Sequence, residues 1–103
     1  GRLVELRPKT YLPSDIIVAV CQTLNVPERL ITAKTRTKEA VKARNMVMYL
    51  IKKYTDSSLG EVGKYVHRDH ATVAYSLSAM ESQMSYDAVL RQEVATIERQ
   101  LGR

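Results

Sequence analysis

Residues 57–80, SSLGEVGKYVHRDHATVAYSLSAM, read as two short helices joined by a tight turn. Ser58 followed three residues later by Glu61 is a capping box, in which each side chain satisfies a backbone amide that the first helical turn leaves unpaired. It predicts a helix over 58–65. His67, Arg68 and Asp69 form the turn, and Asp69 can accept from the free amides of a second helix over 70–82, where its charge suits the positive end of the helix dipole. On that helix Val73, Leu77 and Met80 make an apolar stripe, while Arg68, Asp69, Ala71, Thr72, Tyr75 and Ser76 fall largely on the other side. Short side chains opposite an apolar stripe let a helix backbone approach base edges, so the pair suits a DNA groove better than a catalytic pocket.

On either side of this pair the chain is helical too. Ser14 is a candidate N-cap for a helix over 14–24, where Ile17, Val20, Cys21 and Leu24 follow the i, i+3, i+4, i+7 rule. Asn25 and Pro27 close it, and VPERLITAKTRT reads as a short helical turn leading into a polar loop. From 38 to 54, Ala40, Ala43, Val47, Leu50, Ile51 and Tyr54 share one helix face. Leu90, Val94, Ile97 and Leu101 mark a closing helix over 86–101. With no strand-like alternation and no internal repeat, the expected fold is all-α, about five helices around a helix-turn-helix core. Residues 1–13 read as a leader or linker, because Pro8 and Pro13 break a helix there; the DNA-binding domain is expected over 14–103.

The length of 103 residues suits one domain, and 45% hydrophobic with 26% charged residues is ordinary for a globular chain. Lacking Trp and Phe, its core falls to Leu, Ile, Val, Met and Tyr. Lys and Arg outnumber Asp and Glu by 16 to 11, for a net charge of +5, which favours a polyanionic partner, either nucleic acid or acidic membrane. The excess is local: Arg29, Lys34, Arg36, Lys38, Lys42, Arg44, Lys52 and Lys53 lie between positions 29 and 53, against Glu39 alone. A solvated helix face is the plain reading of such a run. The loop from Lys34 to Lys38, close to a candidate helix-turn-helix, instead suits a phosphate backbone or a minor groove.

Other chemistries find little support. Cys21 cannot pair internally and sits at helical spacing among apolar residues, as a small buried hydrophobe would. His67, Asp69 and His70 have no other histidine to help complete a metal site. His67-Arg68-Asp69 mimics a kinase catalytic loop without the Leu and Asn that should follow. With only Gly1, Gly60, Gly63 and Gly102, the chain has no glycine-rich nucleotide cradle. The expectations are no enzyme activity, no metal, no cofactor and no small-molecule substrate. No apolar run approaches the roughly 18 residues of a membrane span and no secretory h-region begins the chain, so a cytoplasmic, nucleoid-associated location is expected. Tyr49 and Tyr54 read as core packing rather than base-stacking platforms, and Met46, Met48, Met80 and Met84 as gap-fillers.

The stretch VKARNMVMYLIKKYTDSSLGEVGKYVHRDHATVAYSLSAME, residues 41–81, resembles the C-terminal duplex-DNA-binding domain, domain IV, of the bacterial replication initiator family DnaA. The family pattern is a basic loop, an Arg-rich helix with a Met-rich stretch like NMVMYL, a Ser-Leu-x-Glu-Ile/Val-Gly helix, and an Arg-Asp-His-Thr/Ser-Thr-Val signature. With the preceding helix and loop the resemblance covers about residues 14–101. It implies a Trp-repressor-like helix-turn-helix that binds double-stranded DNA at the initiator boxes of replication origins. Carried over by position, it puts Asp69, His70 and Ala71 at base edges in the major groove, Thr72 at a base or phosphate, and Arg36 in the minor groove. Lys34, Lys38, Lys42, Arg44 and Arg68 would meet phosphates. Two positions depart from the pattern: Ala71 stands where the family has a hydroxyl residue, keeping a methyl but no hydrogen bond, and Val66 and His67 fill a turn that is commonly one residue longer and glycine-containing. The family's ATPase and strand-opening functions are not expected within this stretch; an ATPase module would be attached to it or partner it.

Three other readings compete. The same reader could be a stand-alone phage, plasmid or transcription-regulatory protein. A helical protein-interaction module would use Leu90 and Val94 as a seam for a partner. Binding to anionic membrane is the weakest, since residues 38–54 offer no aromatic-flanked apolar face free of core duty.

Overall fold

The computed structural model describes residues 11–102, and among these it contains six α-helices and no strand. They are α1 (Pro13–Leu24), α2 (Arg29–Thr32), α3 (Lys38–Tyr54), α4 (Leu59–Val66), α5 (His70–Met84) and α6 (Ala88–Leu101). The expectation for residues 1–10 of the leader lies outside the described residues.

Most boundaries follow from caps the sequence displays. Thr37 Oγ1 accepts from the Ala40 amide to open α3, Ser58 and Glu61 form both halves of the capping box on α4, and Asp69 accepts from the Thr72 amide at 2.8 Å to open α5. Asp87 does the same for α6 through the Leu90 amide at 3.0 Å, so that helix begins at 88 rather than 86. The start of α1 differs from expectation. Pro13, read as a breaker, is its first residue, and the N-cap is Leu12, with no side-chain cap. Proline has no amide to leave unpaired and its φ already suits a helix, so it is tolerated there. Asn25 ends α1 in the left-handed region at φ 58°, a conformation for which Asn is among the least strained residues.

α3 is the hub, packing against α1, α2, α4 and α5, while α6 lies against α1 and α5. A helix with neighbours on several sides cannot be one-sided. Ala40, Ala43, Val47, Leu50 and Ile51 are buried as the spacing predicts, and so are Met46, Met48 and Arg44. The seam of α6 is occupied as well: Leu90, Val94 and Ile97 are buried within the domain, each contributing about 2 kcal/mol by leaving water, so it is not free to hold a partner. Cys21 is buried, and loss of solvent, then the nearby Glu28 charge, pushes its thiol pKa up, as for an inert core residue. At one end, the Tyr54 hydroxyl donates to Glu98 at 2.6 Å and its ring meets that of Tyr11 edge-on at 5.0 Å.

Candidate nucleic-acid interface

The turn between α4 and α5 is tight because two residues let it be. A Cβ on Gly63 would lie 2.2 Å from the Arg68 carbonyl oxygen, so the backbone approaches α4 where only hydrogen fits. His67 closes α4 in the left-handed region, φ 57° and ψ 47°, at the position helices most often give to glycine. Its amide and that of Arg68 both donate to the Gly63 carbonyl. The turn thus reaches the usual geometry with a histidine in the strained place.

From that turn α5 presents its first residues to solvent. His70, Ala71 and Thr72 are exposed, as is Asp69, whose carboxyl is held below the usual range by the Thr72 amide and hydroxyl and, more weakly, by His70. Val73 and Met80 anchor the helix to the core with Leu77 half-buried beside them. Ser76, expected on the outer face, is turned inward at 9% exposure, since it falls one turn after Val73 and one before Met80.

The cations divide into two groups. Lys34, Arg36 and Lys38 are exposed and have no hydrogen-bond or ion-pair partner among the described residues. Lys42 is half-buried and pairs with Glu93 at 2.6 Å. Arg44 is 5% exposed and its guanidinium points into the domain, donating to the carbonyls of Ile31 and Leu30 at 3.2 Å and of Thr35 at 2.7 Å. Arg68 donates to Val66 and His67 at 3.0 Å and across to Ala33 at 2.8 Å. Both guanidiniums are committed to backbone carbonyls: Arg44 to those of α2 and of the loop that carries Lys34 and Arg36, Arg68 to those of the α4–α5 turn and to Ala33 at the start of that loop. For Arg44 the sequence held a signal, because position 44 shares the inward stripe of Ala40, Val47 and Ile51.

These bonds bring the loop of residues 33–37 beside the helix-turn-helix. Burial lowers the pKa of Arg44, and the positive charges of Arg68 and Arg36 lower it further. A polyanion against this edge would relieve their repulsion. Among the described residues no cluster of three His, Cys, Asp or Glu could hold a metal, and no helix is long and apolar enough to cross a membrane.

The family model described as the bacterial DnaA protein helix-turn-helix matches residues 13–79. Among similar proteins, the chromosomal replication initiator protein DnaA of Roseiflexus castenholzii is 38% identical over 96 residues, covering 92% of this chain and 20% of the relative. The proteins of that name from Bacteroides thetaiotaomicron and Streptococcus thermophilus are 35% and 36% identical, covering 93% and 89% of this chain and 21% of each relative. The chain therefore spans about a fifth of the length of the curated relatives it matches. The matched stretch runs from the first residue of α1 into α5 and takes in the clamped loop, the tight turn and the exposed start of α5. By fold and by sequence alike, this chain belongs to the bacterial DnaA helix-turn-helix family, a non-catalytic one.

Proposed function

We propose that this chain binds double-stranded DNA sequence-specifically and addresses replication-initiation machinery to origin boxes. One observation carries the reading: the exposed first turn of α5 and the unpartnered Lys34, Arg36 and Lys38 are joined at one edge through the Arg68–Ala33 bond. In this reading α5 lies in the major groove, with Asp69, His70, Ala71 and Thr72 at base edges, and Arg36 follows the adjacent minor groove. Lys34 and Lys38 neutralise phosphates, with Lys42 reaching a third when DNA competes with Glu93. Arg44 and Arg68 position the loop and turn rather than meeting phosphate themselves. An ATPase module, attached or partnering, would supply the strand opening, and the chain acts at the nucleoid, in the cytoplasm.

Selection of bound duplexes from a random pool tests this, and recovery of a short motif is expected. Arg36→Ala and Lys34→Ala should weaken binding and flatten the dependence on salt by roughly 0.9 log units for each phosphate no longer neutralised. His70→Ala should instead relax discrimination among the selected sequences. Recovery of no motif by the unaltered chain would falsify sequence-specific reading.

A further inference from the structure

The strip of α5 directly opposite its buried residues is built from small residues with one exception, with the exposed His70, Glu81 and Gln83 flanking it. At about 100° per residue, the positions opposite the buried Val73 and Met80 are Ala71, Tyr75, Ser78 and Ser82. Three of these are short. Tyr75 is 76% exposed and makes no hydrogen bond or ring contact among the described residues. Tyr11, Tyr49 and Tyr54 are half-buried against the core, while Tyr65 and Tyr86, exposed at 40% and 75%, lie on α4 and on the link between α5 and α6, away from this face. A large amphipathic ring projecting alone from a strip otherwise kept small does nothing for the fold. It follows Ala71 by four residues and Thr72 by three, so it stands on their side of the helix, about 6 Å further along the axis.

We infer that Tyr75 is a specificity-determining residue, reading DNA beyond the base pairs met by Ala71 and Thr72. The inference rests on the major-groove placement of α5. A displacement of about 6 Å is close to two base-pair steps, and the phenol offers an apolar face for a thymine methyl with a hydroxyl that can bond a neighbouring base edge. It also restores to this face the hydroxyl chemistry that Ala71 lacks, one helical turn away.

The test is duplex selection from a random pool with the unaltered chain and with His70→Ala, Tyr75→Phe and Tyr75→Ala, each checked by thermal melting. Because the Tyr75 side chain is exposed, its variants should melt as the unaltered chain does. Tyr75→Ala should relax one or two positions displaced from those relaxed by His70→Ala and weaken the best sequence by roughly tenfold. Tyr75→Phe should keep the thymine preference and lose part of the affinity. If the unaltered chain selects a motif that His70→Ala relaxes, while Tyr75→Ala leaves it intact or weakens all sequences equally, the role of Tyr75 is overturned and the placement of α5 stands. If the unaltered chain selects nothing, the placement falls and the role with it.

Discussion

The helix-turn-helix and the loop in front of α3 hold a backbone still in opposite ways. α4, the turn and α5 are fixed by groups within five residues of one another: the Ser58–Glu61 box, the Asp69 cap, the Gly63 carbonyl taking the Arg68 amide. Residues 33–36 have no comparable local device, and Thr37 serves only as the cap of α3. After α2 the chain leaves in extended conformation at Ala33, and its carbonyls are held by Arg44, nine residues beyond Thr35, and by Arg68, 35 residues beyond Ala33. One region is specified locally; the other takes its shape from the fold around it. Damage to the first should therefore be felt as lost stability, and damage to the clamps of the second as lost loop position as well.

Gly63→Ala should break the contrast most severely. The added methyl meets backbone rather than a yielding side chain, so a loss of about 3 kcal/mol in denaturant unfolding is expected. Gly60→Ala, where the new methyl would lie 3.9 Å from the Ser58 hydroxyl, should be neutral or slightly stabilising. Arg44→Ala comes next: it strands three carbonyls and should cost about 2 kcal/mol. It should also lower DNA affinity, with Arg44→Lys a poor substitute because an ammonium cannot reproduce the guanidinium fork. Arg36→Ala should lower affinity and leave melting unchanged, which separates the braced arginines from the free one.

Acid should act on the side chains that cap helices. Glu61, Asp69 and Asp87 are each held below the usual carboxylate range by the amides they cap. A depressed folded pKa means that their stabilisation is complete above the unfolded value, near 4, and is lost as pH falls through the depressed one. Melting followed from pH 6 to pH 2 should show this loss, and Asp69→Asn, which keeps a capping oxygen but cannot titrate, should make the decline shallower. His67→Gly should have a small effect of the opposite sign to Gly63→Ala. Relief of left-handed strain is partly offset by the freer unfolded chain, leaving a gain of about 0.5 kcal/mol in denaturant unfolding.

The same contrast explains what can be read from the residues. Helices α3 to α6 are legible to within two residues because their stripes, and the caps Ser58 and Asp69, are short-range signals. Pro13 misleads because proline both breaks a helix and begins one, and spacing alone does not say which. The resemblance assigns Arg44 and Arg68 to phosphates; the inward stripe of α3 already marks Arg44, whereas the carbonyls that both side chains hold, some far along the chain, are encoded by no local pattern. Ser76 is misplaced because a serine on a helix reads as outward, although its position between Val73 and Met80 puts it on the packed side.

A loop tied by two guanidinium forks before any partner arrives has little left to organise when one does. Docking then resembles two preformed surfaces meeting, without the large negative heat-capacity change that accompanies a segment folding onto its target. Calorimetry across a range of temperatures should accordingly find an association enthalpy that varies only gently, and releasing the forks through Arg44→Ala should make that variation steeper.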